Sequence, residues 1–279
     1  MELLDGKKVK QEVLEELKEE LAKLGKLTLA VVQVGNVDAS NTYVNNKRKM
    51  AESVGINFKH LHLDENVTED ELLEVIDRLN NDEEVTGLMV QMPLPSHIDE
   101  KKVQNRVLPE KDVDGLCDVN MGMLAHNNSS ALVPCTAQGI VDILDYYNIG
   151  IEGQHVVIVG RSDLVGKPLA SLMLNRNATV TVCHSKTKNL SAYTKNADIL
   201  VAAVGKAKMF KESDVKDGAV VIDVGINRDE NGKLCGDVDF EDVKDKVSYI
   251  TPVPGGVGQM TVANLGKNTV KAYKLKLNK

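Results

Sequence analysis

The stretch HVVIVGRSDLVGKPLASLMLNR, residues 155–176, decides the fold class of this chain. It begins with an apolar run of strand length, passes through a turn bracketed by Gly160 and Gly166, and ends in a sequence typical of a helix. Further strands are predicted downstream at residues 178–184, 197–205 and 218–227. Strands joined through helices build a parallel sheet, so this part of the chain is predicted to be an α/β unit.

The N-terminal half shows the same alternation. Strands are predicted at residues 27–35, 56–63 and 87–95, with helical periodicity before and between them. Thr68 and Glu71 have the spacing of a capping box, which predicts that a helix begins there. A second parallel-sheet unit is therefore expected.

A stretch rich in Pro, Gly and Asn, residues 109–136, separates the two units, and a helix predicted at residues 137–147 carries the chain across this border. The fold class expected is α/β, with two parallel-sheet lobes and a cleft between them, where ligands commonly bind. The predicted lobes comprise residues 1–135 joined by the C-terminal helix 261–279, and residues 136–260.

Composition excludes several classes of protein. The 279 residues are 42% apolar, enough for real cores, and the net charge of −7 gives no basic field for nucleic acid or an anionic membrane. No apolar run approaches the ~20 residues that span a bilayer, and the charged N-terminus does not resemble a signal peptide. The four cysteines have no CxxC pair and no histidine at ligand spacing, which argues against a zinc site and favours reduced thiols in a cytoplasmic protein.

The turn after the first strand of the second lobe lacks the middle glycine of the usual dinucleotide fingerprint, so its spacing alone fits a simple strand-to-helix turn equally well. An NAD site usually has a carboxylate at the end of the next strand, whereas the 2′-phosphate of NADP needs cations and hydroxyls. Arg161, Ser185 and Lys186 supply these and no acid does. A Rossmann-like domain that binds NADP is predicted, with His184 a bystander. Two glycines at later strand ends would let a nicotinamide ring approach the backbone: Gly205 and Gly225.

The first lobe offers three polar elements where strands or helices end. TYVNNKRKM, residues 42–50, places Tyr43 and Lys47 one helical turn apart, and Gln91 and Asp114 follow later strands. Each has a structural alternative: a solvated helix face for the lysine, a strand cap for the glutamine, and an Asp-Gly turn for the aspartate.

Taken together with the glycine-rich loop at residues 252–258, these motifs occur in a characteristic order along the whole chain. The sequence resembles the methylenetetrahydrofolate dehydrogenase/methenyltetrahydrofolate cyclohydrolase family. The motifs that carry the resemblance are YVNNK, VQMPLP, KDVDG, NMGML, PCT, VGRSDLVGKP, HSKT, DVGIN and PVPGGVG.

The resemblance implies roles for the residues of the first lobe. Lys47 would serve the cyclohydrolase step, Tyr43 would pack against the folate, and Gln91 would bond to the lysine. Asp114 would hold the pterin edge. The glycine-rich loop would border the folate through Pro254, Gly255 and Gly256.

The resemblance also implies the cofactor, the partners and the cellular role. NADP would be contacted by Gly160, Arg161, Ser162, Gly166, Ser185 and Ile226. The expected protein is a cytoplasmic homodimer that associates through its dinucleotide lobe, with tetrahydrofolate derivatives as substrates and no metal. Its products would serve one-carbon metabolism and purine biosynthesis.

Two departures from the family pattern keep alternatives open. Val37 and Asp38 stand where the family has Asp-Pro, and Gln259 replaces a usual proline. One alternative is a dehydrogenase whose hydrolytic step these changes have disabled, against which the retained Lys47 and Gln91 argue. Another is a non-catalytic NADP-binding sensor, which would leave the first-lobe residues without a purpose.

The two reactions make different demands on side chains. Loss of hydride from a methylene bridge yields a stabilised cation and mainly requires that two rings be held face to face. Hydration of that cation requires proton transfer, which a lysine can perform only when it is neutral for part of the cycle. Burial and a cationic substrate would both lower the pKa of Lys47, and Gln91 could orient it without adding charge.

Overall fold

The computed structural model describes residues 1–277, without the side chain of residue 39, so the last two residues of the predicted C-terminal helix lie outside it. The chain folds into helices and short strands in alternation, with one 3₁₀ turn at Glu212–Asp214. In chain order they are β1 (Glu2–Leu3), α1 (Gly6–Leu21), β2 (Thr28–Val34), α2 (Asp38–Val54), β3 (Asn57–Leu63), α3 (Glu69–Asn81), β4 (Gly87–Val90), α4 (Glu100–Arg106), α5 (Asp118–Ala125), α6 (Cys135–Tyr146), β5 (His155–Val159), α7 (Gly166–Asn175), β6 (Thr179–Cys183), α8 (Ser191–Thr194), β7 (Ile199–Ala202), β8 (Val220–Asp223), β9 (Asn227–Arg228), β10 (Leu234–Cys235), α9 (Phe240–Val243), β11 (Tyr249–Ile250) and α10 (Gly258–Leu277).

The chain divides into two compact units, which confirms the prediction of an α/β protein with two parallel sheets. One unit, here the small-sheet unit, contains residues 12–135 and the C-terminal residues from 262 onward. The other, here the large-sheet unit, contains residues 1–11 and 136–261.

The division differs from the sequence prediction at the N-terminus, where residues 1–11 group with the large-sheet unit. The reason is local: β1 pairs in parallel with β11, and the backbone N–H of Asp5 donates to the Tyr147 hydroxyl at 2.9 Å. A two-residue strand has no periodicity that a sequence pattern could show. Helices α1 and α10 each contain a unit boundary.

The small-sheet unit is built on three parallel strands in the order β3-β2-β4. All seven residues of β2 are buried, and their side chains alternate between two cores. Leu29 and Val31 pack with α1, α2 and α10 on one face. Ala30 and Val32 pack with α3 and α4 on the other. This period of two explains why a central strand reads as a continuous apolar run.

The capping box predicted at the start of α3 is confirmed. The Glu71 backbone N–H donates to the Thr68 hydroxyl at 3.3 Å, and the Glu71 carboxylate accepts from the Thr68 backbone N–H at 2.9 Å. The two bonds satisfy donors that a helix N-terminus otherwise leaves unpaired, and an N-cap of this kind is worth about 1 kcal/mol.

The large-sheet unit contains six parallel strands in the order β1-β11-β8-β7-β5-β6. The register places Val159 beside Cys183 and Ala202, and Ala202 beside Asp223, so four strands end along one line. Loops that leave the carboxyl ends of parallel strands meet at that edge, which is where α/β sheets bind ligands.

Four helices, the short α8 and α9 among them, and several short strands were not predicted from the sequence. Helices α4 and α5 lie in stretches that showed no clear periodicity, and α10 begins at Gly258, inside the predicted glycine-rich turn. Within residues 1–277, no helix is both long enough and apolar enough to cross a membrane, and no cluster of three or more His, Cys, Asp or Glu side chains could hold a metal ion.

Candidate active site

Helix α2 places the lysine of the small-sheet unit. Val44, Lys47 and Ala51 are buried on the inward face of the helix, whereas Arg48 and Lys49 are exposed. The solvated-face interpretation of Lys47 is therefore wrong, because only 8% of this residue is exposed. Residues three and four positions apart share one side of a helix, which is why a lysine between these apolar positions points inward.

The buried amine meets the end of strand β4. Lys47 Nζ donates to Gln91 Oε1 at 2.6 Å, and the Gln91 backbone N–H continues the sheet by donating to Val32 O at 2.8 Å. Gln91 Nε2 donates to the Met92 carbonyl at 2.6 Å, which fixes the amide with its oxygen toward the lysine. The structure thus brings together the lysine that the sequence analysis assigned to hydrolysis and the glutamine expected to bond to it.

The electrostatics of this cluster shift the Lys47 amine toward its neutral form. Burial lowers the pKa of Lys47, and the charge of Asp114 opposes that change without cancelling it. Burial raises the pKa of Asp114, which the lysine charge partly offsets. Burial also raises the pKa of the Cys135 thiol, well above its ordinary value, and Asp114 adds to that effect. These mutual effects indicate that the lysine, the carboxyl and the thiol lie close together.

The KDVDG motif contains two aspartates with different tasks. Asp112 is buried and accepts hydrogen bonds from the backbone N–H groups of Gly115 at 3.0 Å and Cys117 at 2.9 Å, and from Asn120 Nδ2 at 3.0 Å. Asp114 accepts no hydrogen bond from any residue that the structure describes. Asp112 therefore holds the turn with its side chain. Asp114 lies in the same turn, which the Gly115 backbone N–H closes on the Asp112 carbonyl, but the Asp114 side chain does not bond to it. The sequence analysis missed Asp112, although an acceptor three residues before a glycine is a recognisable turn signal.

Tyr43 lies one turn before Lys47 on α2, and about half of this residue (47%) is exposed. The helix begins after Val37, an N-cap residue whose side chain makes no capping hydrogen bond with any described residue. The first departure from the family pattern thus falls at the start of the helix that carries both Tyr43 and Lys47. This departure affects only the start of α2, because Lys47 still donates to Gln91.

In the large-sheet unit, the turn after β5 is closed by two glycines that have no room for a side chain. A Cβ at Gly160, whose φ is +142°, would overlap the Ala203 carbonyl, and a Cβ at Gly166 would overlap the Gly160 carbonyl. The Ser162 hydroxyl accepts from the Val165 backbone N–H at 3.2 Å as α7 begins. Close packing of strand, turn and helix of this kind is the physical basis of a dinucleotide turn.

The residues assigned to the 2′-phosphate lie at the ends of neighbouring strands. Arg161 follows β5 and Ser185 follows β6; both side chains are exposed and make no hydrogen bond or ion pair with another residue in the range 1–277. His184 Nδ1 accepts from the Lys186 backbone N–H at 3.1 Å, so this imidazole shapes the turn. Ile226, 57% exposed, follows β8 at the same sheet edge.

The glycine-rich loop that precedes α10 belongs to the large-sheet unit. A Cβ at Gly6, the first residue of α1, would overlap the Gly256 carbonyl, and Gly255 adopts a φ of +114°. Pro254 is exposed. The backbone N–H of Gln259 donates to Gly256 O at 3.1 Å, a bond that the usual proline could not make.

Comparison with known proteins agrees with this geometry. Residues 4–114 match the family model described as the tetrahydrofolate dehydrogenase/cyclohydrolase catalytic domain, and residues 134–277 match the NAD(P)-binding domain of the same family.

Relatives and solved structures cover the whole chain. The chain is 51% identical over 280 residues to the bifunctional protein FolD of Bacillus subtilis, covering 99% of each sequence. It superposes with a TM-score of 0.97 and 48% identity on the bifunctional enzyme FolD, methylenetetrahydrofolate dehydrogenase/cyclohydrolase, of Campylobacter jejuni, covering 99% of each chain. It superposes with a TM-score of 0.94 and 38% identity on the Trypanosoma brucei FolD complexed with NADP cofactor and inhibitor, covering 100% of this chain and 99% of that one. The chain belongs to the tetrahydrofolate dehydrogenase/cyclohydrolase family.

Proposed function

We propose that this chain is a bifunctional enzyme of one-carbon folate metabolism. It oxidises methylenetetrahydrofolate to methenyltetrahydrofolate with NADP, and it hydrolyses the methenyl compound to formyltetrahydrofolate. The observation that carries the proposal is the buried bond between Lys47 and Gln91, in a chain that matches both domains of the family over nearly its full length.

The oxidation depends on how the large-sheet unit holds the cofactor. NADP supplies the hydride acceptor when it is bound. Its pyrophosphate would lie at the turn formed by Gly160, Ser162 and Gly166, where the glycine contacts exclude side chains. Arg161 and Ser185 would bind the 2′-phosphate, a role supported by their exposed positions at adjacent strand ends and by the absence of an acid from the segment CHSKT that ends β6.

The hydrolysis depends on the small-sheet unit. Lys47 would take a proton from the attacking water and deliver a proton to the leaving nitrogen, which requires the neutral amine that burial favours. Gln91 would orient the amine through its carbonyl oxygen, and it adds no charge that would raise the pKa of the lysine.

Substrate binding would use Asp114, because the pterin edge presents adjacent N–H donors and this carboxyl is not engaged by described parts of the protein. The exposed ring of Tyr43 would pack on the folate. The loop residues Pro254, Gly255 and Gly256 and the exposed Ile226 keep their predicted roles, in folate and NADP contacts respectively, as parts of the proposal.

The proposal includes a cytoplasmic homodimer whose formyltetrahydrofolate serves purine biosynthesis. The four free cysteines support a reducing compartment. The dimer is supported by β6, an edge strand of the large sheet that exposes Val182. Light scattering of the purified chain tests the oligomeric state, and a monomer at micromolar concentration would refute it.

One assay separates this function from its alternatives. The pure protein is mixed with methylenetetrahydrofolate and NADP, and the absorbance of methenyltetrahydrofolate and NADPH is followed. A bifunctional enzyme produces NADPH while the methenyl signal rises and then decays faster than in buffer. A dehydrogenase without hydrolysis accumulates methenyl product, and an NADP-binding sensor yields neither signal.

A further inference from the structure

Two buried carboxylates that the sequence analysis did not single out, Asp237 and Asp223, lie beside Gly205 and Gly225 at the carboxyl ends of strands of the large sheet. Asp237 has 0% of its surface exposed and Asp223 has 4%. Side chains of this kind are rarely buried unless each oxygen is paired, so their partners indicate what they hold in place.

Asp237 binds the loop that follows the central strand β7. Its Oδ2 accepts from the backbone N–H groups of Val204 at 2.5 Å and Gly205 at 3.0 Å. Its Oδ1 accepts from the Lys206 backbone N–H at 2.8 Å and from Asn227 Nδ2 at 2.9 Å. Three consecutive amides thus converge on one carboxylate, an arrangement that a neutral amide side chain cannot reproduce because it has a single acceptor oxygen.

Asp223 holds Asp237 in turn. Its Oδ1 accepts from the backbone N–H groups of Asp237 and Gly225, both at 2.9 Å, and its Oδ2 accepts from the Val238 backbone N–H at 2.9 Å. The Asp223 backbone N–H donates to the Thr251 hydroxyl at 2.7 Å. The ends of β7 and β8 and the segment after β10 are therefore linked through two side chains.

Two glycines make the link possible. A Cβ at Gly225 would overlap the Asp237 carboxylate, and a Cβ at Gly236 would overlap the Asp223 carboxylate. Gly225, one of the two glycines that the sequence analysis assigned to nicotinamide approach, thus also makes room for Asp237. The loop that Asp237 binds, residues 204–206, directly follows Ala203, and the Ala203 carbonyl packs against Gly160 of the dinucleotide turn.

We propose that Asp237 is a positioning residue for NADP, which fixes residues 204–206 in the shape that receives the cofactor, and that Asp223 keeps Asp237 in place. The inference rests on the proposed function of this sheet edge as the NADP site. Both carboxylates are buried and bonded to backbone amides, so their effect on the cofactor passes through the loop backbone.

The test compares Asp237→Asn with Asp239→Asn, a matched control two residues away whose side chain makes no capping bond in the described chain. NADPH affinity is measured by fluorescence titration, and hydrolysis of methenyltetrahydrofolate is measured separately. We expect Asp237→Asn to weaken NADPH binding at least tenfold and to raise the KM for NADP with a smaller change in kcat. Hydrolysis should stay within about twofold, because Lys47 lies in the other unit. The control should behave as the unmodified chain.

Hydrogen exchange adds a readout that a general loss of stability would not produce. The amides of residues 204–206 are donated to an enclosed carboxylate although Gly205 and Lys206 are exposed, so they should exchange slowly in the unmodified chain. In Asp237→Asn they should exchange faster while amides of β5 and β7 keep their protection. Unchanged NADPH affinity in a folded Asp237→Asn protein would overturn the inference.

A second pair of variants covers the case in which Asp237→Asn does not fold. Lys206→Pro removes one amide donor to Asp237 without changing the aspartate, and Lys206→Ala keeps that donor while removing the same side chain. The proline variant should bind NADPH at least fivefold more weakly than the alanine variant. Equal affinities for this pair would overturn the inference, whereas an unmodified chain that does not bind NADPH would refute the proposed function instead.

Discussion

Replacing Lys47 by Met tests the assignment of the hydrolytic step. Methionine has a similar length and suits the apolar side of α2, but it has no proton to give or take. General acid–base groups typically contribute 10²–10⁴-fold to a rate, so hydrolysis of methenyltetrahydrofolate should fall by at least about 100-fold. NADP-dependent oxidation should remain measurable, because hydride transfer needs no proton acceptor, and methenyl product should accumulate.

The loss of hydrolysis should be this large because no other lysine or arginine of α2 can replace the Lys47 amine. Lys47 Nζ is buried and bonded to Gln91 Oε1 at 2.6 Å, so no exposed cation on the same helix can take its place. Lys49→Met is the matched control, because this lysine is exposed two positions further along α2. Both reactions are assayed in both variants. Hydrolysis at the unmodified rate in Lys47→Met, or its loss in Lys49→Met, would refute the reasoning.

The lowered pKa of Lys47 also fixes the sign of two pH effects. The neutral fraction of the Lys47 amine grows as pH rises, so the rate of hydrolysis should increase with pH around that lowered pKa. The rate of oxidation should not show this increase. Because the folded state holds the proton less tightly than the unfolded state does, the stability contributed at this position should rise with pH up to the ordinary lysine pKa. In Lys47→Met both dependences should disappear.

Three further predictions concern other residues. Arg161→Ala should weaken NADP binding about 10–100-fold, as expected for loss of a charge-assisted bond of ~1.5–3 kcal/mol, and leave the KM for NAD unchanged; equal losses for both cofactors would contradict the assignment. Asp114→Ala should raise the KM for folate in both reactions. Its free energy of unfolding should stay within about 1 kcal/mol of the unmodified value, because Asp112 holds the turn. A variant that only loses stability in urea denaturation would contradict the assignment of Asp114 to folate binding. Val37→Asp should stabilise the chain by about 0.5–2 kcal/mol in the same measurement, because it supplies the cap that α2 lacks, and no gain would show that the helix terminus is satisfied otherwise.

The two-sheet α/β architecture could be predicted because buried strands and helices leave regular patterns of apolar residues in the sequence. The seven buried residues of β2 and the capping box of α3 are local patterns, and local patterns identified both parallel sheets. The two-residue strands β1 and β11 carry no such pattern, since their pairing is a consequence of tertiary structure. The grouping of residues 1–11 with the large sheet could not be predicted for that reason.

The sequence predicts a site residue where a motif allows one structural role, and it does not where two residues of a motif could fill the same role. The spacing of α2 predicts that Tyr43 and Lys47 share a helical side, and the structure adds which of them is enclosed. KDVDG contains two aspartates, and only the folded backbone shows that Asp112 turns inward to three donors. Asp237 was missed altogether, because three of its four hydrogen-bond donors come from a loop more than 30 residues away in the chain.

The order of the two reactions gives the environment of Lys47 its significance. Oxidation converts a neutral methylene bridge into a cation, and a cation bound near the amine disfavours the ammonium form further. The product of the first reaction would therefore prepare the base of the second, an effect that a carboxylate bonded directly to the lysine would cancel. Gln91 occupies that bonding position and carries no charge, whereas the carboxyl of Asp114 acts on the amine only through its field and has its own pKa raised by burial. Replacing Gln91 by Glu would add a carboxylate at the one bonded position, and the same logic then requires a more firmly protonated lysine and slower hydrolysis at neutral pH.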